Sequence, residues 1–170
     1  MIARGFNATP AHGVGRYFDA FGALLLDRAV SRYEGQIALE LNMAADPAEI
    51  RRYKYEIDQA GTPWQIDLRP AVREAVFESL GGETVSRIAA RIHNTLSAAS
   101  VDVVRAMSRR VGRLPVVLSG GCFQNARLAE SIAAALEPEF RVYLHSRVPP
   151  GDGGIALGQA VVAAAKARSL

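Results

Sequence analysis

Apolar positions change spacing several times along this chain, and each change marks an element. From Val14 to about Ala29, Phe18, Phe21 and Leu25 recur at steps of three and four, which predicts an amphipathic helix. Ser31 to Gly35 breaks it, and Glu34 to Ala45, with Ile37 and Leu41, predicts a second short helix closed by Asp46-Pro47. The period then drops to two. Tyr53, Tyr55 and Ile57 alternate with Lys54 and Glu56, the pattern of a half-buried strand. A turn at residues 58–63 leads to Trp64–Leu68 as the returning strand of a hairpin. Arg69 to Leu80 reads as a helix, with Pro70 tolerated in its first turn and Gly81-Gly82 at its end. The longest helix runs from Glu83 to Val111. Val85, Ile88, Ile92, Leu96, Ala99, Val103, Met107 and Val111 form one stripe along it, and Gly112 stops it.

The last third has a different rhythm. Val116-Val117-Leu118 is a short β-branched run, expected over 115–119 as a strand covered on both faces. Ser119-Gly120-Gly121 is a tight turn, and Gln124 to Leu136 carries Leu128, Ile132 and Leu136 at helical spacing. A helix starting there offers free N–H groups to an anion. Arg141–Leu144 is the next strand, Pro149–Gly154 a second glycine turn, and residues 154–167 a final helix. Strand, helix and strand in so short a span predict a parallel pair with a right-handed crossover. Ligands of open α/β sheets sit at the carboxyl ends of the strands, where both glycine turns fall. Two clear strands and a hairpin against about six helices cannot complete a covered sheet. The missing strands are therefore expected in polypeptide outside this sequence. Residues 1–13, with Asn7, Thr9, Pro10 and Gly13, read as loop.

Totals narrow the function. The 170 residues suit one domain or one lobe of a larger one. Twenty basic and seventeen acidic residues are interspersed for a net charge of +3, which argues against nucleic acid as the main partner. The single cysteine, Cys122, excludes an internal disulfide or a multi-cysteine metal site and suits a reducing, cytoplasmic setting. No apolar run approaches the ~20 residues of a membrane span. Met1 to Gly5 have no apolar segment of a signal peptide behind them.

Few residues can carry chemistry. Gly120 and Gly121 can let a nucleotide approach the backbone, and the Asn125 amide offers donors and an acceptor to read it; the alternative is a plain turn with a polar helix start. Asp152, held in a glycine turn at a strand end, can ligate a cation or cap the last helix. Asp19 can accept from ribose hydroxyls or simply favour the start of its helix, and Arg16 can pair with it. His12, His93 and His145 are scattered, so each is read as structural or exposed. Cys122 has no histidine near it in sequence and reads as a small apolar side chain. Tyr33-Glu34-Gly35 can line a cleft or begin a helix.

Several of these segments together resemble one family. Leu118-Ser119-Gly120-Gly121-Cys122-Phe123-Gln124-Asn125 is similar to its LSGGVFQN segment, and Arg147 to Ala160 to its RRVPPNDGGIALGQA segment. Gly15-Arg16-Tyr17-Phe18-Asp19-Ala20, Tyr33-Glu34-Gly35-Gln36, Asp67-Leu68-Arg69-Pro70 and Ile92-His93-Asn94-Thr95-Leu96 follow in family order. The family is the carbamoyltransferase that matures nickel–iron hydrogenases. The resemblance is to its C-terminal, Kae1-like region, which is shared with antibiotic O-carbamoyltransferases and tRNA-modifying enzymes. It implies an α/β chain: the second lobe of an actin-like ASKHA ATPase fold, ribonuclease H-like, rich in helix. Residues ~1–112 would be a helical insertion with a small hairpin, and ~113–170 the β-α-β-α nucleotide-binding core. It also implies carbamoyl transfer from carbamoyl-adenylate, made from ATP and carbamoyl phosphate, to the C-terminal cysteine of a partner protein. Gly120, Gly121 and Asn125 would hold the adenylate, Asp19 its ribose with Gly15 packing beneath, and Asp152 a divalent metal (iron, zinc or magnesium).

The family's metal site takes two further histidines from a His-x-x-x-His motif that this sequence lacks. The chain is therefore expected to be a fragment or one subunit of a split enzyme, inactive alone, with a separate chain carrying the other half. The alternative is a non-catalytic interaction module that docks on such a partner.

Overall fold

The computed structural model describes residues 13–28 and 30–168. The expected N-terminal loop, except Gly13, lies outside these residues, as do His12 and the expected helix end at Ala29. The elements run α1 (Val14–Leu25), α2 (Gln36–Ala44), β1 (Glu56–Asp58), β2 (Gln65–Asp67), α3 (Arg69–Leu80), α4 (Val85–Val111), β3 (Val116–Leu118), α5 (Ala126–Leu136), β4 (Val142–Leu144) and α6 (Ile155–Ala167).

Phe18, Phe21 and Leu25 are buried, as the spacing of α1 predicts. The helix ends where Asp27 takes a positive φ of 51°. Gly22 lets α2 approach: a Cβ there would lie 2.4 Å from Ile37 Cγ2 and 3.0 Å from the Ile37 carbonyl oxygen. The second helix starts at Gln36 rather than Glu34, because Gly35 precedes it with a left-handed φ of 78°.

The hairpin forms as expected, with Ile57 opposite Ile66, but its ladder is only three residues long. Tyr53 and Tyr55 keep the alternation without a strand partner. Tyr53 donates its N–H to Thr95 Oγ1 at 2.8 Å and its hydroxyl to Glu78 Oε2 at 2.6 Å. The Tyr55 hydroxyl donates to Asp102. A side chain of α4 thus satisfies the Tyr53 N–H that a longer ladder would have paired, and carboxylates of α3 and α4 hold the two hydroxyls.

The expected single stripe on α4 is too narrow. Ile88, Ile92, Leu96 and Ala99 are buried, but so are Ala90, Arg91, His93, Thr95 and Ser97 on the other sides. Helices α2, α3 and α5 all pack on α4, which buries its middle all round. The stripe surfaces at its far end, where Met107 and Val111 are exposed.

Strands β3 and β4 pair in parallel, with Val117 opposite Tyr143, and α5 crosses between them. Leu118 joins the core with Leu128, Ile132 and Leu136 of α5. The expectation of a strand covered on both faces does not hold: Val117 is 63% exposed and Tyr143 44%. A two-stranded sheet here has helices on one face only. No residue of α6 is buried, although its sequence is apolar on every side.

Candidate functional site

Beyond the C-terminal ends of β3 and β4 lies a cleft of about 650 Å³, within the usual size of small-molecule sites. Gly15 and Asp19 of α1, the 33–35 turn, Asn42 of α2, Gly121, Asn125 and residues 151–153 line it. The two glycine turns converge there because they are tied to each other. Gly120, at a φ of 108° that an L side chain rarely adopts, donates its N–H to the Pro150 carbonyl at 2.9 Å. At Gly151 a Cβ would stand 2.6 Å from Gln124 Nε2, the far end of a flexible side chain, and 3.5 Å from Gly121 Cα, so the two loops are in contact there.

Five of the six candidate residues share this hollow: Gly15, Asp19, Gly121, Asn125 and Asp152. Gly120 is not among the lining residues; its N–H holds the second turn. The Tyr33-Glu34-Gly35 turn does line the cleft. Asp19 pairs with Arg16 at 2.8 Å; both are partly exposed, so the pair contributes little stability. Cys122 is half-buried and packs against the core, as a small apolar side chain would. His145 is exposed, with Nε2 2.9 Å from Ser119 Oγ.

The helix expected from Gln124 begins later. Residues Gly121–Gln124 form a short 3-10 turn, and α5 starts at Ala126 with Asn125 as its N-cap. Asn125 Oδ1 accepts from the Leu128 N–H at 3.1 Å, so one N–H expected to be free for an anion is already paired. The amide nitrogen of Asn125 lies 2.9 Å from His93 Nε2. His93 is 1% exposed, and its Nδ1 lies 2.7 Å from the Ala89 carbonyl. Burial, with the nearby Arg127 charge, pushes its pKa down to about 4, so the ring is neutral. His93 and Asn42 were missed as site residues. The signals for His93 were a polar residue beside the buried stripe of α4 and its place in the family-like segment Ile92–Leu96.

Asp152 is exposed, and no side-chain cap bond is made at either turn that it adjoins. The helix-cap role is absent; Gly154 holds the cap position of α6. Asp152→Ala is therefore expected to leave stability within ~0.5 kcal/mol of the parent in urea unfolding. A loss of about 1–2 kcal/mol would restore the capping role. Among the described residues no three His, Cys, Asp or Glu side chains are grouped to hold a metal ion. The donors of this cleft thus do not by themselves fit a metal centre. No described helix is long and apolar enough to cross a membrane.

Parallel strand tips, paired glycine turns and a hollow of small-molecule size between them define a helix-rich α/β lobe. The family model described as carbamoyltransferase, Kae1-like domain, second subdomain matches residues 1–159. The chain belongs to that family. It is 36% identical over 172 residues to carbamoyltransferase HypF of Rhodobacter capsulatus, covering 99% of this chain and 22% of that protein. It is 34% identical over 190 residues to HypF2 of Cupriavidus necator, covering 98% and 24%. Full-length HypF, solved in a phosphate- and nucleotide-bound form, superposes with a TM-score of 0.87 at 37% identity, over 95% of this chain and 21% of that one. The chain spans about a fifth of the length of these relatives.

Proposed function

We propose that this chain supplies the nucleotide-facing half of a carbamoyl-transfer centre in hydrogenase maturation. The observation that carries the proposal is the convergence of Gly15, Asp19, Gly121, Asn125 and Asp152 on one hollow. The nucleotide-bound form of a 37% identical relative supports it. In the proposed reaction a cysteine thiolate of an acceptor protein attacks the carbonyl carbon of carbamoyl-adenylate. The carbon–sulfur bond forms, the bond from that carbon to the phosphate oxygen breaks, AMP leaves and the thiol proton passes to solvent. This chain's part is to hold the adenylate in place, a positioning contribution. Asp19 is suited to accept from ribose hydroxyls and the Asn125 amide to read a polar edge.

The few charged groups on the wall are mostly acidic. Among the described residues, Asp19, Glu34 and Asp152 line it with Arg16 as the one cation, and Arg16 is already paired. A phosphate facing these carboxylates needs positive charge from the opposite side. The proposed source is a second polypeptide segment carrying the other half of the lobe. That segment would also complete a divalent metal site, iron, zinc or magnesium, to which Asp152 gives one ligand. The proposed setting is the cytoplasm, with no nucleic acid or membrane as partner.

A second reading, a non-catalytic module docking on such a partner, is favoured by α6. Ile155, Leu157, Val161 and Val162 are each more than half exposed, and Val117 and Tyr143 sit on an uncovered sheet face. Calorimetric titration with ATP and a non-hydrolysable carbamoyl-adenylate analogue, with and without magnesium, separates the two. Binding weakened about tenfold by Asp19→Ala or Asn125→Ala is the expected result. No heat at millimolar ligand, together with dimers in light scattering, would favour the docking module.

A further inference from the structure

We infer that His93 is a positioning residue that locks the Asn125 amide in one orientation for the cleft. This rests on the reading of Asn125 as a ligand-facing group. The logic is one of donors and acceptors. The Ala89 carbonyl, 2.7 Å from His93 Nδ1, can only accept, so Nδ1 carries the proton of the neutral ring. Nε2 is then a bare acceptor, and the atom of Asn125 facing it at 2.9 Å must be the amide nitrogen. At the other end, Oδ1 accepts from the Leu128 N–H at 3.1 Å. Both ends of the amide are pinned by partners that cannot exchange roles. A flipped amide would set two acceptors against each other at His93 and two donors against each other at Leu128.

The lock is itself rigid. His93 is 1% exposed, and its ring lies 4.8 Å from that of Phe18 at a tilt of 45°. Helices α1, α4 and α5 therefore meet at this one imidazole, and Phe18, like Asn125, lines the cleft. What the pinned amide leaves for a ligand is its second N–H and a second lone pair on Oδ1. A ligand group presenting an acceptor, such as a purine ring nitrogen or a ribose or carbamoyl oxygen, meets a donor that costs no reorientation on binding.

Nitrogen-15 NMR of the ligand-free chain tests the lock directly. The expected spectrum has His93 protonated at Nδ1 and bare at Nε2, with a scalar coupling across the hydrogen bond to Asn125 Nδ2. A proton on Nε2, or an Asn125 amide averaging between two orientations, would overturn the inference. Calorimetry with the carbamoyl-adenylate analogue tests the consequence. His93→Phe keeps a ring beside Phe18 but removes the acceptor, and is expected to bind about tenfold more weakly per folded molecule. His93→Gln, which can accept through its amide oxygen, is expected to recover most of that loss. Equal binding by the parent and the folded phenylalanine variant would show that His93 only fills space. If the parent itself takes up no analogue, the adenylate reading fails, and the NMR result still decides whether His93 holds the amide.

Discussion

Arg91→Ala is expected to lower the unfolding free energy by about 3–5 kcal/mol, enough to abolish most of a small domain's stability. Arg91 is 2% exposed in the middle of α4. Its Nε donates to Glu49 Oε2 at 2.9 Å, Nη1 to Glu78 Oε2 at 2.6 Å, and Nη2 to Glu83 Oε2 at 2.8 Å. Tyr53 donates to the same Glu78 oxygen. One guanidinium thus ties the segment after α2, the end of α3 and the α3–α4 turn to the central helix. Removing it leaves three carboxylates facing one another around a cavity, with only the more exposed Arg51, paired with Glu49 and Glu83, and Arg87, paired with Glu83, nearby among the described residues to compensate in part. Lysine cannot replace it, because one ammonium cannot reach three carboxylates from a planar fork's positions. Urea unfolding followed by circular dichroism measures the loss. A change under about 1 kcal/mol would mean that the cluster is solvated and dispensable. Because the cation is buried, the loss should vary little with salt.

The chain is also expected to lose up to about 3 kcal/mol of stability between pH 6.5 and 4 through His93 alone. Burial pushes the folded imidazole from 6.5 down to about 4, with Arg127 adding to the effect. In that window the unfolded chain binds a proton at this residue and the folded chain does not. Protons therefore favour unfolding, and the stabilisation present above pH 6.5 disappears as the pH falls toward 4. Carboxylates contribute to acid unfolding too, but the Asp67 carboxyl, held down to about 2 by hydrogen bonds from Arg69, acts mostly below this window and overlaps only its acid edge. The difference between parent and His93→Gln isolates the histidine. Parallel stability–pH curves for the two proteins would show that the ring titrates normally in the folded state.

Much of the fold was legible from local pattern. The 3.6-residue spacing in α1, α2 and α5 reports which side of each helix faces apolar neighbours, and Gly112 and Pro115 mark the passage from α4 to β3. The hollow was legible too, because glycine turns after parallel strands must fall at one sheet edge. What failed did so for non-local reasons. Alternation at Tyr53 and Tyr55 signals burial on one side, but not that helices rather than a strand supply it. The Val116-Val117-Leu118 run is as apolar as a doubly covered strand, yet cover on the second face depends on layers that these residues do not encode. Asn125 read as a reader of ligand or as a polar helix start; it does cap α5, but its partner His93, 32 residues away in sequence, was not foreseen.

By itself, the sequence determined where helices and turns fall, which family the chain resembles, and that its two glycine turns would share a strand edge. These follow from backbone sterics and side-chain periodicity, which act over a few residues. Tertiary structure alone decided that Arg91 gathers three carboxylates, that Gly120 ties the second glycine turn instead of lining the cleft, and that His93 pins Asn125. Such pairings depend on the angle and depth at which α1, α4 and α5 pack, and no spacing within any one of them encodes that.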